Sequence, residues 1–287
     1  MRTPDKPPIV VGVSGTMAGL AAVRLGAREA VARGRRLRVI HAFSWPGPGW
    51  VGQDYASARH EAAGIIDEAV ATASRSTPWV RVDGEVVDGA PVRVLLRQSL
   101  TADLLLLGDD DLAAVPRLPV DSVLMQVVAR ARCPVVVARG LRPPTGPLLA
   151  AIDGSETAHF ALRHAAAEAR RRDVAIEVAH VVTEPGRAAE ADGRSLLERA
   201  VAAVPGLAER AQTRLLTGDP ATALIRASRH ARMVIVGPRG ADGSTLLGAV
   251  AHELLRRCAC PTVFVHGSTA VEPHSPGTAP SARALTA

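Results

Sequence analysis

The apolar run Ile9-Val10-Val11-Gly12 and the Ser14-Gly15-Thr16 turn behind it return later in the chain as Leu148-Leu149-Ala150-Ala151 and Asp153-Gly154-Ser155. The landmarks that follow return in the same order. Each copy has an Arg-rich amphipathic segment, an apolar run ending in histidine (His41, His180), and a Gly-x-Pro (Gly89/Pro91, Gly218/Pro220). An apolar run ending in glycine (Gly108, Gly237) comes next, and then a Cys-Pro before the last apolar run (Cys133-Pro134, Cys260-Pro261). One α/β domain is therefore written twice, and each copy serves as a control for the other.

Within each copy, short Val/Ile/Leu runs alternate with helical periodicity in the order β-α-β-α-β-α-β-α-β, which predicts a parallel sheet covered on both faces. Leu20, Val23, Ala27 and Val31 recur at helical spacing, as do Leu162, Ala165, Ala166 and Ala169, and these stripes are expected to face the core. The fourth runs, Leu104 to Leu107 and Met233 to Val236, are apolar throughout and are placed centrally, buried on both faces. Pro91 and Pro220 stand where a helix begins, a position at which the missing N–H costs nothing. The fold class is α/β, with two tandem open parallel five-stranded sheets of Rossmann type. The expected division is a disordered N-terminus (1–7), domain 1 (8–139), a Pro/Gly-rich linker (140–147), domain 2 (148–266) and a disordered tail (267–287).

Length supports this division, since 287 residues make two domains, each large enough for its own core. No apolar run reaches the ~20 residues of a membrane span, and residues Met1 to Pro8 carry no signal core, so a cytoplasmic protein is expected. Three cysteines without a C-x-x-C fit a reducing compartment. The formal charge of +6 raises the question of nucleic acid, but lysine occurs once and aromatics total 2%, too few for base stacking. The clusters Arg35-Arg36, Arg170-Arg171-Arg172 and Arg256-Arg257 are read as solvated helix faces.

Open parallel sheets bind ligands at the carboxyl ends of their strands. In the second copy the turns there are Asp153-Gly154-Ser155, His180-Val181 and the loop from Gly237 through Gly240 to Gly248-Ala249. A glycine-rich loop entering a helix presents unpaired N–H groups and the positive end of the helix dipole, so phosphate is the natural guest.

At these residues the chain resembles the universal stress protein family, tandem-domain type, over about residues 8–139 and 146–266. The resemblance implies the adenine nucleotide alpha hydrolase-like fold, strand order 3-2-1-4-5 and pairing through the last strands. Val135 to Ala138 would then meet Thr262 to Val265 as an internal pseudo-dimer, and a homodimer of two chains stays open. ATP-binding members carry an acidic residue in the first turn and a loop of the form G-x2-G-x9-G-S/T. Carried over, Asp153 meets the ribose or a metal. Ala151, Ile152, Val181 and Val236 line the adenine, while Gly237 and Gly240 open the loop and Gly248, Ala249 and Val250 close it, with Gly240, Gly248 and Val250 giving backbone contacts to phosphates. Two departures stand out: seven residues separate Gly240 from Gly248 instead of nine, and Ala249 replaces the hydroxyl residue. Ser244 or Thr245 could supply that hydroxyl instead.

In the first copy Ser14 replaces the acidic residue, and the loop has Asp111 where glycine is expected and Asp121-Ser122 in place of Gly-Ser, with Asp109 and Asp110 adding further carboxylates. Carboxylates there would repel polyphosphate, so ATP is expected in the second domain only. A cation among these aspartates, and a metal set of Cys258, Cys260 and His252, are weaker readings. The strand-end histidines and the paired cysteines are read as structural. No G-x-x-x-x-G-K-[ST] loop or nucleophile elbow occurs, so the expectation is a non-enzymatic, nucleotide-binding regulator of the stress response. The alternative is a nucleotide-free scaffold that works through surface contacts. The first copy has ten residues more than the second between His41 and Gly89, around Trp45 and Trp50, and this insertion is either a lid or partner surface or packs over the sheet edge.

Overall fold

The computed structural model describes residues 6–45, 54–110, 119, 121–140, 145–240 and 246–267. The first copy runs β1 (Ile9–Gly12), α1 (Met17–Arg33), β2 (Leu37–Phe43), α2 (Tyr55–Ser76), β3 (Val82–Asp88), α3 (Pro91–Ser99), β4 (Leu104–Gly108), α4 (Val123–Arg130) and β5 (Val135–Ala138). The second runs β6 (Leu148–Ala151), α5 (Glu156–Arg172), β7 (Ile176–Val182), α6 (Arg187–Ala202), β8 (Ala211–Thr217), α7 (Pro220–Ser228), β9 (Met233–Val236), α8 (Ala249–Arg257) and β10 (Thr262–Phe264). The expected order of elements holds in both halves.

Local chemistry sets the helix starts. Thr16 and Ser155 cap α1 and α5, their hydroxyls accepting from Gly19 N at 3.1 Å and Ala158 N at 3.2 Å. Pro91 and Pro220 open α3 and α7. At its end α1 turns through Gly34 (φ 59°), whereas α5 ends on Asp173, a non-glycine residue in the same left-handed conformation (φ 50°).

The strands form a single sheet in the order β3-β2-β1-β4-β5-β10-β9-β6-β7-β8. Each half has the expected 3-2-1-4-5 order and is parallel, with Ile9 opposite both Leu37 and Leu104. The halves join where β10 pairs antiparallel with β5, Val263 opposite Val136, so the intrachain pairing expected from the resemblance is present and the two sheets are continuous. One face is covered by α1, α2, α5 and α6, the other by α3, α4, α7 and α8, and each core layer draws residues from both copies. The β4 and β9 strands are buried throughout, as central parallel strands must be. The stripe on α1 departs in one place, since Val31 is 43% exposed.

A second departure lies between the halves. The Arg170-Arg171-Arg172 run is not a solvated face, because Arg171 and Arg172 close an ion cluster between α1 and α5. Arg33 Nη2 donates to Glu168 Oε1 at 2.6 Å, and Arg172 Nη2 donates to Glu29 Oε1 at 2.5 Å. Each arginine also holds the glutamate four residues before it, at 3.3 and 3.1 Å. Arg171 pairs with both glutamates, and Asp103 receives Arg33 at 3.0 Å and Arg35 at 3.4 Å. Glu29 and Glu168 are almost wholly buried, which only this multiplicity of donors permits.

A residue just past each last strand completes the junction. Arg139 donates to the carbonyls of Cys258 (2.8 Å) and Leu255 at the end of α8, and His266 Nε2 meets the Val128 carbonyl of α4 at 2.8 Å. The Arg139 guanidinium at the C-terminus of α8 suits the helix dipole there. Gly267, expected to begin the tail, is described and packs beside Phe160.

Candidate functional site

All ten residues expected at the site, Ala151, Ile152, Asp153, Val181, Val236, Gly237, Gly240, Gly248, Ala249 and Val250, line one cavity of about 450 Å³. It opens at the carboxyl ends of β6, β7 and β9, where the strand order reverses. Ala179, Pro220 and Leu224 complete an apolar wall.

Asp153 follows β6, and one of its oxygens accepts from Ser155 N at 2.9 Å, which fixes the turn while the residue stays exposed. His180 Nδ1 meets the Ile152 carbonyl at 2.9 Å, and in the first copy His41 Nδ1 meets that of Val13 at the same distance. Both histidines thus pin the end of strand one to strand two, the structural role expected of them. Gly237 is glycine for a packing reason, since a Cβ would come within 2.6 Å of Thr157 Oγ1 on α5. Gly108 stands against the Ala18 backbone in the same way.

The anion-attracting end of the cavity is the start of α8. Its N-cap, Gly248, has no side chain to offer, and its own N–H is taken by the Pro238 carbonyl at 2.9 Å. The amides of Ala249, Val250 and Ala251, all lining the cavity, come before the first intrahelical bond, which His252 N makes to Gly248 O at 2.8 Å. The equivalent helix of the first copy starts one residue later and is capped by its own chain, Ser122 Oγ accepting from Met125 N at 3.3 Å.

Charge at the cavity mouth is inverted between the copies. Where the first has Asp110, the second has Arg239, two residues past the glycine that ends the fourth strand. Asp110 lies in the first copy's cavity, which measures about 220 Å³, and accepts from Thr16 Oγ1 at 2.6 Å in a backbone conformation (φ 40°) rare for a non-glycine residue. Arg239 lines the larger cavity, its carbonyl receiving Thr157 Oγ1 at 2.6 Å. The signal for Arg239 was present in the repeat, where Gly108-Asp109-Asp110 lies over Gly237-Pro238-Arg239; single-copy motif reading passes over it because the family pattern leaves that position free.

Among the described residues the weaker site readings are not assembled. Asp109 pairs with Arg139 at 3.6 Å and Asp110 with Thr16, so neither is free for a cation. Cys258 and Cys260 are buried with their sulfurs 4.0 Å apart, but among the described residues no three His, Cys, Asp or Glu side chains are placed to hold a metal. Trp45 packs on Phe43 and Tyr55, with ring centroids 6.3 and 5.6 Å away. Trp50, Asp111, Ser244 and Thr245 lie outside the described residues. Among the described residues no helix is long and apolar enough to cross a membrane.

Comparison with known proteins agrees with this architecture. The universal stress protein family model matches residues 7–139 and again 145–266. Universal stress protein Rv2005c of Mycobacterium tuberculosis is 30% identical over 286 residues, covering 91% of this chain and 97% of its own length. A universal stress protein of Mycolicibacterium smegmatis is 28% identical, covering 90% and 96%. Among solved structures, a universal stress protein from Archaeoglobus fulgidus superposes with a TM-score of 0.70 at 17% identity, covering 90% of this chain and 97% of its own, a likeness of fold. With both halves matched and the relatives spanned almost end to end, this chain belongs to the universal stress protein family, as a tandem of two such domains.

Proposed function

We propose that the chain is a non-catalytic regulator of the stress response that binds an adenine nucleotide, ATP first among them, in its second domain only. The observation that carries this reading is the asymmetry of the two cavities. One is about 450 Å³ with uncapped amides and Arg239 at its mouth, and the other is about 220 Å³ with Asp110 in it. Two like charges 4 Å apart repel by roughly 4 kcal/mol at an effective dielectric of about 20, so a carboxylate at Asp110 offsets what a helix N-terminus offers a phosphate.

In the second domain the apolar wall of Ile152, Val181, Leu224 and Val236 takes the base, Asp153 meets the ribose, and the amides that begin α8 take the phosphates. Among the described lining residues the Ser155 hydroxyl is engaged as the cap of α5 and His180 Nδ1 is held at the Ile152 carbonyl, which favours binding over turnover. Thermal melts with and without Mg-ATP test the reading. The wild type should gain stability with nucleotide, and Ala249→Asp should lose that gain while keeping its own fold, because a carboxylate at the first position of a helix is favourable. Unchanged wild-type melting at saturating nucleotide would overturn it.

A further inference from the structure

A second cavity, of about 590 Å³, lies between the domains, where the end of α4 in the first meets the loop after β9 in the second. Its described lining carries four arginines and a histidine, Arg97, Arg130, Arg132, Arg239 and His266, and no carboxylate. Arg239 borders both this cavity and the nucleotide cavity, and donates to the Ala129 carbonyl at 3.3 Å. Arg130 donates to Gln126 at 2.9 Å, while the guanidinium groups of Arg97 and Arg132 have no hydrogen bond or ion pair among the described residues. His266 gives its Nε2 hydrogen to Val128, and its Nδ1 is buried without a partner. Beside these cations Leu100 stands 65% exposed.

The repeat supplies the control. At the two-fold related place the residue matching His266 is Arg139 and the one matching Pro238 is Asp109, and these pair with each other at 3.6 Å. Arg139 is spent there on α8 carbonyls, its side chain 6% exposed, and Asp110 matches Arg239. Positive charge is thus neutralised internally on one side of the pseudo-two-fold axis and, among the described residues, left without a counter-charge on the other. Arg97 also borders the cleft of Arg38 and Glu85, but that glutamate is already paired with Arg38.

We infer that this interdomain cavity is a second anion site, built for a short polyphosphate group and distinct from the nucleotide cavity. Arginine forks in a concave setting suit several phosphate oxygens at once, and the absence of a described carboxylate among them leaves nothing to repel such a guest. The site stands independently of the nucleotide reading, though Arg239 would couple the two when both are filled.

The probe is inorganic tripolyphosphate, titrated calorimetrically into the full chain at about 0.15 M salt, where diffuse surface attraction is largely screened. One saturable site is expected. Arg132→Glu and Arg97→Glu, both at exposed positions that folding tolerates, should each weaken it at least tenfold, and Arg132→Gln should weaken it less. Arg226→Glu, the two-fold mate of Arg97, should leave it unchanged, as should Ala249→Asp. Absence of saturable heat overturns the proposal, and so does equal weakening by Arg226→Glu, which marks general charge. Loss of tripolyphosphate binding in Ala249→Asp overturns it too, because the anion would then occupy the nucleotide cavity. Tripolyphosphate binding without any ATP effect would sink the nucleotide reading alone.

Discussion

Arg33 and Arg172, at equivalent places near the ends of α1 and α5, each donate to the buried glutamate of the other's helix, at 2.6 and 2.5 Å. The exchange is reciprocal, as in a symmetric dimer, although both partners belong to one chain. Removing one member leaves the others uncompensated. Glu168→Gln is expected to destabilise by about 3–5 kcal/mol, whereas replacing Glu29, Glu168, Arg33 and Arg172 together by apolar residues of similar volume should cost far less. Urea denaturation of the single and combined variants measures both.

The same cluster sets a pH dependence. Burial alone would raise the Glu168 carboxyl, but Arg33, His164, Arg171 and Arg172 outweigh it and hold the group below the usual carboxylate range. Burial lowers His164 in turn, Glu168 only partly opposing. In both cases the unfolded chain binds the proton more readily. The stability they contribute is therefore present above the ordinary histidine value of 6.5, is lost first through His164 as pH falls below it, and then through Glu168 below 4.5. Urea midpoints from pH 8 to pH 3 should fall in that order, and His164→Gln should flatten the first part.

Nucleotide affinity should respond to one hydroxyl. Ala249 lines the cavity at the start of α8. Ala249→Ser adds a donor to a phosphate oxygen, worth about 1.5–3 kcal/mol when the acceptor is charged, or roughly tenfold to a hundredfold in Kd. Titration of Mg-ATP into both proteins decides this, and no change would mean that phosphates do not reach the helix.

Asp173 and Gly34 occupy the same left-handed position at the ends of matching helices. Asp173→Gly relieves a conformation that costs a residue with Cβ about 1 kcal/mol, and Gly34→Asp should introduce that cost. Asp173 loses only an exposed pairing with Arg210 at 3.3 Å, so thermal melting should move up for the first variant and down for the second.

Much of this was legible in the sequence, because strand runs, glycine turns and proline starts are local signals, and the repeat doubled each of them. The ten site residues come together because strand ends converge in a parallel sheet whatever packs elsewhere. What escaped depends on contacts between distant surfaces. Glu29 and Glu168 look like any carboxylate on an amphipathic helix, and only docking of α1 on α5 buries them. Val31 shares the helical spacing of Leu20 and Val23 yet remains exposed while Ala30 beside it is fully buried, so Val31 lies off the buried face of the helix. Arg239 was hidden for another reason, since its meaning lies in contrast with Asp110 rather than in any motif.

Antiparallel pairing of β5 with β10, with Arg139 and His266 each seated on the opposite half, has a consequence for the intervening residues 140–147. Covalent continuity there should be dispensable to the assembled state. Cleaved at that point, the molecule should elute from a sizing column as an undivided particle, and separately expressed fragments should find one another, each supplying the missing neighbour for the other's outermost ribbon.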